Sequence, residues 1–264
     1  MSARKMKFLF FLTSMLCVGV TNAQRLIVTL DNYFNSEWKK DSTGKMIPFH
    51  YTWSDKENTG FSQFGDLFGR QKVEKNTLTT APTKENLTST SIYIIVDPDT
   101  EKETAHPNYI MQKDIGEIAA WVKQGGVLLL MGNDSANAEF QHFNQLAATF
   151  GIHFDQNTKN HVEGDNFEEG AITIPVGDPI FRTARKVFLK DVSTVTVKKP
   201  AKIALKNGSD NIIAISKYGK GTVFAVGDPW LYNEYIDNSK LPREFENYAA
   251  ANDLIRWLVR QVHH

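Results

Sequence analysis

Trp121-Val-Lys-Gln-Gly-Gly-Val-Leu-Leu-Leu-Met131, running on into Gly132-Asn133-Asp134, is the stretch that decides the fold class. Upstream of it, from Gln112 to Gln124, Ile115, Ile118, Ala119 and Val122 share one face of an amphipathic helix. Gly125-Gly126 ends that helix, as glycine does at a helix C-terminus. Val127–Met131 is apolar without alternation, so it reads as a strand covered on both faces, the habit of parallel sheets. Working outward, Ser91-Ile-Tyr-Ile-Ile-Val96 before Asp97-Pro98-Asp99-Thr100 repeats this pattern, and so does Arg25-Leu-Ile-Val-Thr-Leu30 before Asp31-Asn32. Residues 61–70, with Phe61, Phe64, Leu67 and Phe68, predict a helix, and Ala138–Phe150 predicts another, closed by Gly151. Ser135 reads as a helix cap. Strand–helix alternation predicts an α/β fold with a doubly wound, mainly parallel central sheet.

The pattern then changes. Short β-prone runs at 171–174, 187–189, 194–197, 202–205, 211–216 and 222–226 suggest a β-rich insertion near 152–215 that returns to the sheet. Asn207-Gly208 marks a hairpin turn. A last helix is expected over about Pro242 to Val262. Residues 33–60 are irregular and aromatic, with Tyr33, Phe34, Trp38, Phe49, Tyr51 and Trp53. A loop of that length is functional or packs its own rings.

The chain is 264 residues long, ample for a buried core. Lys+Arg and Asp+Glu are both 30, so the formal charge is zero and gives no case for nucleic acid or an acidic membrane surface. Arg4, Lys5 and Lys7, the apolar run Phe8–Val20 and then Thr21-Asn22-Ala23 read as an export signal. The expected organisation is a signal over 1–23 and one domain over 24–264. That predicts an exported, periplasmic protein with no membrane association after cleavage. The single cysteine, Cys17, lies inside the signal, which leaves the mature chain without a disulfide, a thiolate metal site or a cysteine nucleophile.

The expected strand ends share polar chemistry: Asp31-Asn32, Asp97-Pro98-Asp99, Asn133-Asp134 and Asp228-Pro229-Trp230. In open α/β sheets ligands sit outside the carboxyl ends of the strands. Carboxylates accept hydroxyl hydrogen bonds and amides both give and take them, which suits a polyol. Asp31, Asn32, Asn133 and Asn233 are the candidate polar ligands, and Trp230, Tyr232 and the aromatics of the 33–53 loop the candidate stacking rings. Each acid taken alone is equally at home as a turn or cap residue. Asp97, Asp99, Asp134 and Asp228 are the candidate catalytic carboxylates for acid–base hydrolysis. Their oxygens would also suit a divalent cation such as calcium or magnesium, although no particular metal site is assigned. There is no zinc motif among the seven histidines, no G-x-S-x-G elbow, no G-x-G-x-x-G and no phosphate loop.

The stretch 121–134 with Phe150-Gly151-Ile152, and Gly219-Lys-Gly-Thr-Val-Phe-Ala-Val-Gly-Asp-Pro-Trp230, resemble class I glutamine-amidotransferase-like domains. More narrowly, Ile92–Thr100, Pro107-Asn-Tyr-Ile110 and Gly227–Tyr235 resemble the amidotransferase-like region found alone or fused to unsaturated rhamnogalacturonyl hydrolases of Bacteroidetes-type polysaccharide degraders. The resemblance implies a flavodoxin-like fold and a part in rhamnogalacturonan or pectin breakdown. It departs at the nucleophile: Asn133-Asp134-Ser135 stands where true amidotransferases carry cysteine, so glutaminase activity is not expected.

Three readings follow. In the first, the protein binds an oligosaccharide or a glycan-degrading enzyme without catalysis of its own and needs no cofactor. In the second, it is a carbohydrate-directed hydrolase using the strand-end carboxylates. In the third, the 33–53 loop and Trp230–Tyr235 are surfaces for assembly with itself or another protein.

Overall fold

A computed structural model describes residues 25–262. The proposed export signal and the terminal histidines lie outside the described residues. In chain order the elements are β1 (Leu26–Asp31), β2 (Trp38–Lys40), β3 (Met46–Pro48), α1 (Ser62–Arg70), β4 (Val73–Leu78), α2 (Lys84–Leu87), β5 (Ile92–Val96), α3 (Gln112–Gln124), β6 (Val127–Met131) and α4 (Phe140–Thr149). They continue with β7 (Ile152–Phe154), β8 (Ala171–Thr173), β9 (Lys186–Phe188), β10 (Val195–Val197), β11 (Lys202–Asn207), β12 (Asp210–Tyr218), β13 (Gly221–Val226), α5 (Asn233–Ile236) and α6 (Asn247–Gln261).

The fold is mixed α/β around a mostly parallel seven-stranded sheet of order β11-β12-β13-β6-β5-β1-β4. From β13 to β4 all neighbours pair in parallel, while β12 joins β13 and β11 joins β12 antiparallel. β5, β6 and β13 are buried at every position. Alternate side chains divide between two cores, as the period of two in a strand requires. Val96, Leu129, Met131 and Phe224 face a core closed by α1 and α6, while Tyr93, Ile95, Leu128 and Leu130 face one closed by α3 and α4. Helices therefore cover both faces of the sheet.

Two glycines are fixed by geometry. Gly125 caps α3 at φ 129°, a conformation that side chains rarely adopt. A Cβ on Gly227, just past β13, would lie 1.7 Å from the carbonyl oxygen of Ser193.

Several boundaries differ from the sequence reading. β4 went unread because Val73-Glu-Lys-Asn-Thr-Leu78 is an outer strand with exposed Lys75, Asn76 and Thr77 and no apolar run. The last helix starts at Asn247, not near Pro242. α4 is capped by the Glu139 carboxylate, which accepts from the amides of Gln141 and His142; Ser135 sits in the preceding turn and is exposed. The β-rich stretch makes two small ladders, β7 with β10 and β8 with β9, but β11 and β12 extend the main sheet. The expected turn at Asn207-Gly208 joins those two strands, with Gly208 at φ 57°. The outer strands β4 and β11 both carry lysines, and the β11–β12 register is interrupted near Ile203–Lys206.

Candidate functional site

β1 and β5 are neighbours, and the loops that leave their carboxyl ends are fastened to each other. Asp31 ends β1 and accepts the backbone N–H groups of Tyr33 (3.1 Å) and Phe34 (2.7 Å), and the hydroxyl of Tyr93. Burial pushes its carboxyl up to about 7 against those donors. Asn35 then donates Nδ2 to the carbonyl oxygen of Asp97 (2.7 Å). Ser36 donates its N–H to Asp99 Oδ2 (2.9 Å), which also accepts from the Thr104 hydroxyl (2.7 Å). Asp97 occupies the left-handed region at φ 44°, which Asp tolerates better than most residues.

Beneath this seam lies a buried polar cluster. Asp97 Oδ2 accepts from the Tyr51 hydroxyl (2.6 Å) and from Asn133 Nδ2 (2.8 Å). The Tyr51 and Tyr232 hydroxyls are 3.1 Å apart. Burial raises the Asp97 carboxyl to about 7, and the hydrogen bonds from Tyr51 and Asn133 only partly offset it. Asp228 accepts the Lys190 N–H (3.0 Å). Burial drives its carboxyl well above the ordinary carboxylate range, against that hydrogen bond and the Lys190 charge, while Asp191 and Asp97 push the same way as burial. Tyr51, Asp97, Asn133 and Tyr232 thus form one hydrogen-bonded group, and Asp228 is near enough for its charge to bear on Asp97 and Tyr232; Asp97 and Asp228 are almost fully buried.

The loops that carry this seam also border an accessible cleft of about 440 Å³, which Asn35 and Ser36 help to line. The loop after β1, the β2–β3 hairpin and the end of β4 line it. Its rings are Tyr33, Trp38, Phe49 and Trp53, and its amides are Asn32, Asn35 and Asn108. Hydroxyls of Ser36, Thr52, Ser54, Thr77 and Thr79 fill the spaces between. Trp38 is 58% exposed. Trp53 is held by its indole N–H on the Asn76 carbonyl (2.9 Å), and Asn108 by its amide on the Tyr33 carbonyl (2.9 Å). Among the described residues Glu37 is the one carboxylate lining the cleft, and it pairs with His50 Nδ1 at 2.9 Å. Burial opposes the His50 cation, but the hydrogen bond and charge of Glu37, with Asp97 and Asp55 behind, raise its pKa above the usual value. His50 lies between the rings of Phe49 and Tyr51, stacked at 4.5 and 4.6 Å.

The other candidate residues lie apart from the cleft. Trp230 cannot be a stacking platform, because it is 1% exposed and packs edge-on against Phe181. Asn233 is a buried clamp: its Oδ1 accepts from Gln63 N–H (2.9 Å) and its Nδ2 donates to the carbonyls of Asp55 and Glu57. Asp134 shapes its own turn through Ala136 N–H (2.7 Å) and Asn137 Nδ2 (3.1 Å). Of the strand-end residues chosen from sequence, Asn32 alone lines the cleft, joined by Tyr33, Trp38, Phe49 and Trp53 of the aromatic loop. The aromatic loop was the better signal, whereas Glu37 and His50 carry no motif. Among the described residues no group of three His, Cys, Asp or Glu side chains is placed to hold a metal ion.

Fold and cleft define a class: an α/β protein with a ligand-sized cleft at the carboxyl ends of parallel strands. Within it, the chain belongs to the family described as a domain of unknown function, DUF4350, whose model matches residues 54–241. The fold is similar to the mmIFT52 N-terminal domain (TM-score 0.65, 17% identity, covering 88% of this chain and 97% of that one). It is similar also to the cytoplasmic protein STM1381 of Salmonella typhimurium LT2 (TM-score 0.58, 15% identity, 88% and 98%) and to STM3548 of Salmonella typhimurium (TM-score 0.55, 13% identity, 88% and 98%). No curated protein sequence matches. These findings overturn the resemblance to amidotransferase-like domains and to their rhamnogalacturonyl hydrolase fusions. The motifs behind it, a glycine-ended helix and a buried strand with a polar end, are general to parallel α/β sheets.

Proposed function

We propose that this is an exported carbohydrate-binding protein whose cleft takes a neutral oligosaccharide and performs no chemistry on it. The observation that carries the reading is the pairing of the exposed Trp38, with Phe49 and Trp53, and a rim of amides and hydroxyls. Rings cover the apolar faces of a pyranose, while amides and hydroxyls match its equatorial hydroxyl groups. Hydrolysis by paired carboxylates is the weaker reading. It needs two accessible acids set apart by a defined gap, whereas Asp97, Asp99 and Asp228 are buried, Asp134 is engaged in its own turn away from the cleft, and Glu37 is, among the described residues, the only carboxylate in the cleft. The parallel strands run in the order β4-β1-β5-β6-β13, which favours a flavodoxin-like, doubly wound description and sets the cleft beside its β1/β5 switch point. Export is proposed from residues 1–23, and sequencing the N-terminus of the secreted protein tests it.

Isothermal titration against a panel of neutral oligosaccharides tests the binding reading. At least one should bind, and Trp38→Ala should weaken it about tenfold or more, the equivalent of one stacked ring. Absence of binding across the panel, or product release by the wild-type protein, would overturn it.

A further inference from the structure

We infer that a second site, independent of the carbohydrate cleft, binds a ligand carrying two neighbouring tetrahedral oxyanions, phosphate or sulfate. It lies toward the opposite end of the sheet, where β13 begins and α6 finishes: Lys217 Nζ, late in β12, reaches Gln261 Oε1 at 3.0 Å. Two cavities there, of about 570 and 250 Å³, share Arg182 and Arg260 in their walls. Arg185 lines the larger and Arg256 the smaller.

All four arginines are exposed, and among the described residues no carboxylate pairs with any of their guanidinium groups, although Glu246 accepts the backbone N–H of Arg185. The two acids in the walls face the backbone. Asp178 accepts the N–H groups of Ile180 and Phe181, both at 2.8 Å. Asp253 accepts the N–H and hydroxyl of Thr183, at 2.6 and 2.9 Å. Lys and Arg only equal Asp and Glu over the whole chain, so the cluster is a local segregation of charge and not a general excess.

Arg256 and Arg260 stand one helical turn apart, an arrangement that costs stability while nothing neutralises it. Arg185 is preset by hydrogen bonds from Nη1 to the Ala184 carbonyl (2.7 Å) and from Nη2 to the Arg182 carbonyl (3.0 Å). Planar guanidinium groups held in this way recognise phosphate and sulfate with paired hydrogen bonds. Two cavities with shared walls suit two adjoining oxyanions better than one.

The test is isothermal titration in about 50 mM salt, where screening is modest, with inorganic pyrophosphate and, separately, a disulfated disaccharide. One or both should bind the wild-type chain. The double variant Arg182→Gln/Arg260→Gln should lose about tenfold or more in affinity, while the charge-matched Lys102→Gln/Lys113→Gln stays within about twofold. Thermal melting confirms that each variant is folded. Binding of only one probe identifies phosphate or sulfate as the recognised group. Failure of both probes, or equal weakening by the two double variants, overturns the site and leaves the carbohydrate reading untouched.

Discussion

Tyr51 joins Asp97 to Tyr232 in the buried cluster. It stands at φ 42°, next to His50 at φ 57°, so two successive non-glycine residues occupy the left-handed region. Such backbone costs about 1 kcal/mol or more per residue unless its surroundings hold it. Here the Tyr51 hydroxyl on Asp97 and the His50 imidazole on Glu37 do so. Tyr51→Phe removes one donor from a buried carboxylate and a partner from Tyr232. It should lower stability by about 1–3 kcal/mol by denaturant titration without altering the affinity of the cleft, because Tyr51 does not line it. An unchanged midpoint would mean that the hydroxyl pair contributes nothing. Part of this was legible in sequence, since Asp97 and its partner Asn133 were both picked out as strand-end polar groups. Tyr51 was not, because it comes from a loop remote in the chain and nothing local marks it as a partner of Asp97.

At the scale of elements, legibility followed burial. β5, β6 and β13 were readable because their apolar runs are buried on both faces, and α3 because of its spacing and its glycine stop. β2 and β3 escaped because each is three residues long and largely solvent-facing, yet their hairpin carries Trp38 and builds one wall of the cleft. Glycines separate local from tertiary demands. Gly116 lies inside α3 with open space around its Cβ position, so Gly116→Ala should stabilise the protein by about 0.5–1 kcal/mol. Gly227→Ala meets the Ser193 backbone and should destabilise by about 2 kcal/mol or more. A denaturant series on both variants checks the pair, and equal shifts would contradict the close approach of the end of β13 to the Ser193 backbone.

Over the whole molecule, the buried acids set the pH dependence of stability. Asp31 and Asp97 are pushed up to about 7 and Asp99 to about 6, all chiefly by burial. A carboxyl whose folded pKa lies above its unfolded value, roughly 4, keeps its proton longer in the native state. Its contribution is complete below the unfolded value and is lost as pH rises through the folded one; each tenfold difference in proton affinity between the two states is worth about 1.4 kcal/mol. The raised His50 has the same sign, whereas the lowered Asp237 takes away stability only when the pH falls into the acid range. The melting temperature should therefore be higher near pH 5 than near pH 8 by several degrees, and Asp97→Asn should flatten the difference. A scan that rises toward pH 8 would contradict protonated carboxyls in the native core.

The two rims of the main sheet are the outer edges of β4 and β11. Lys202 and Lys206 stand beside the broken register of β11, where another chain would have to dock, whereas Lys75 on β4 is turned to Asp66 of α1. A newcomer strand at β11 would face lysine ammonium groups beside a strand whose hydrogen-bond ladder is locally misaligned. That rim is therefore a poor template for stacking such molecules end upon end into fibrils.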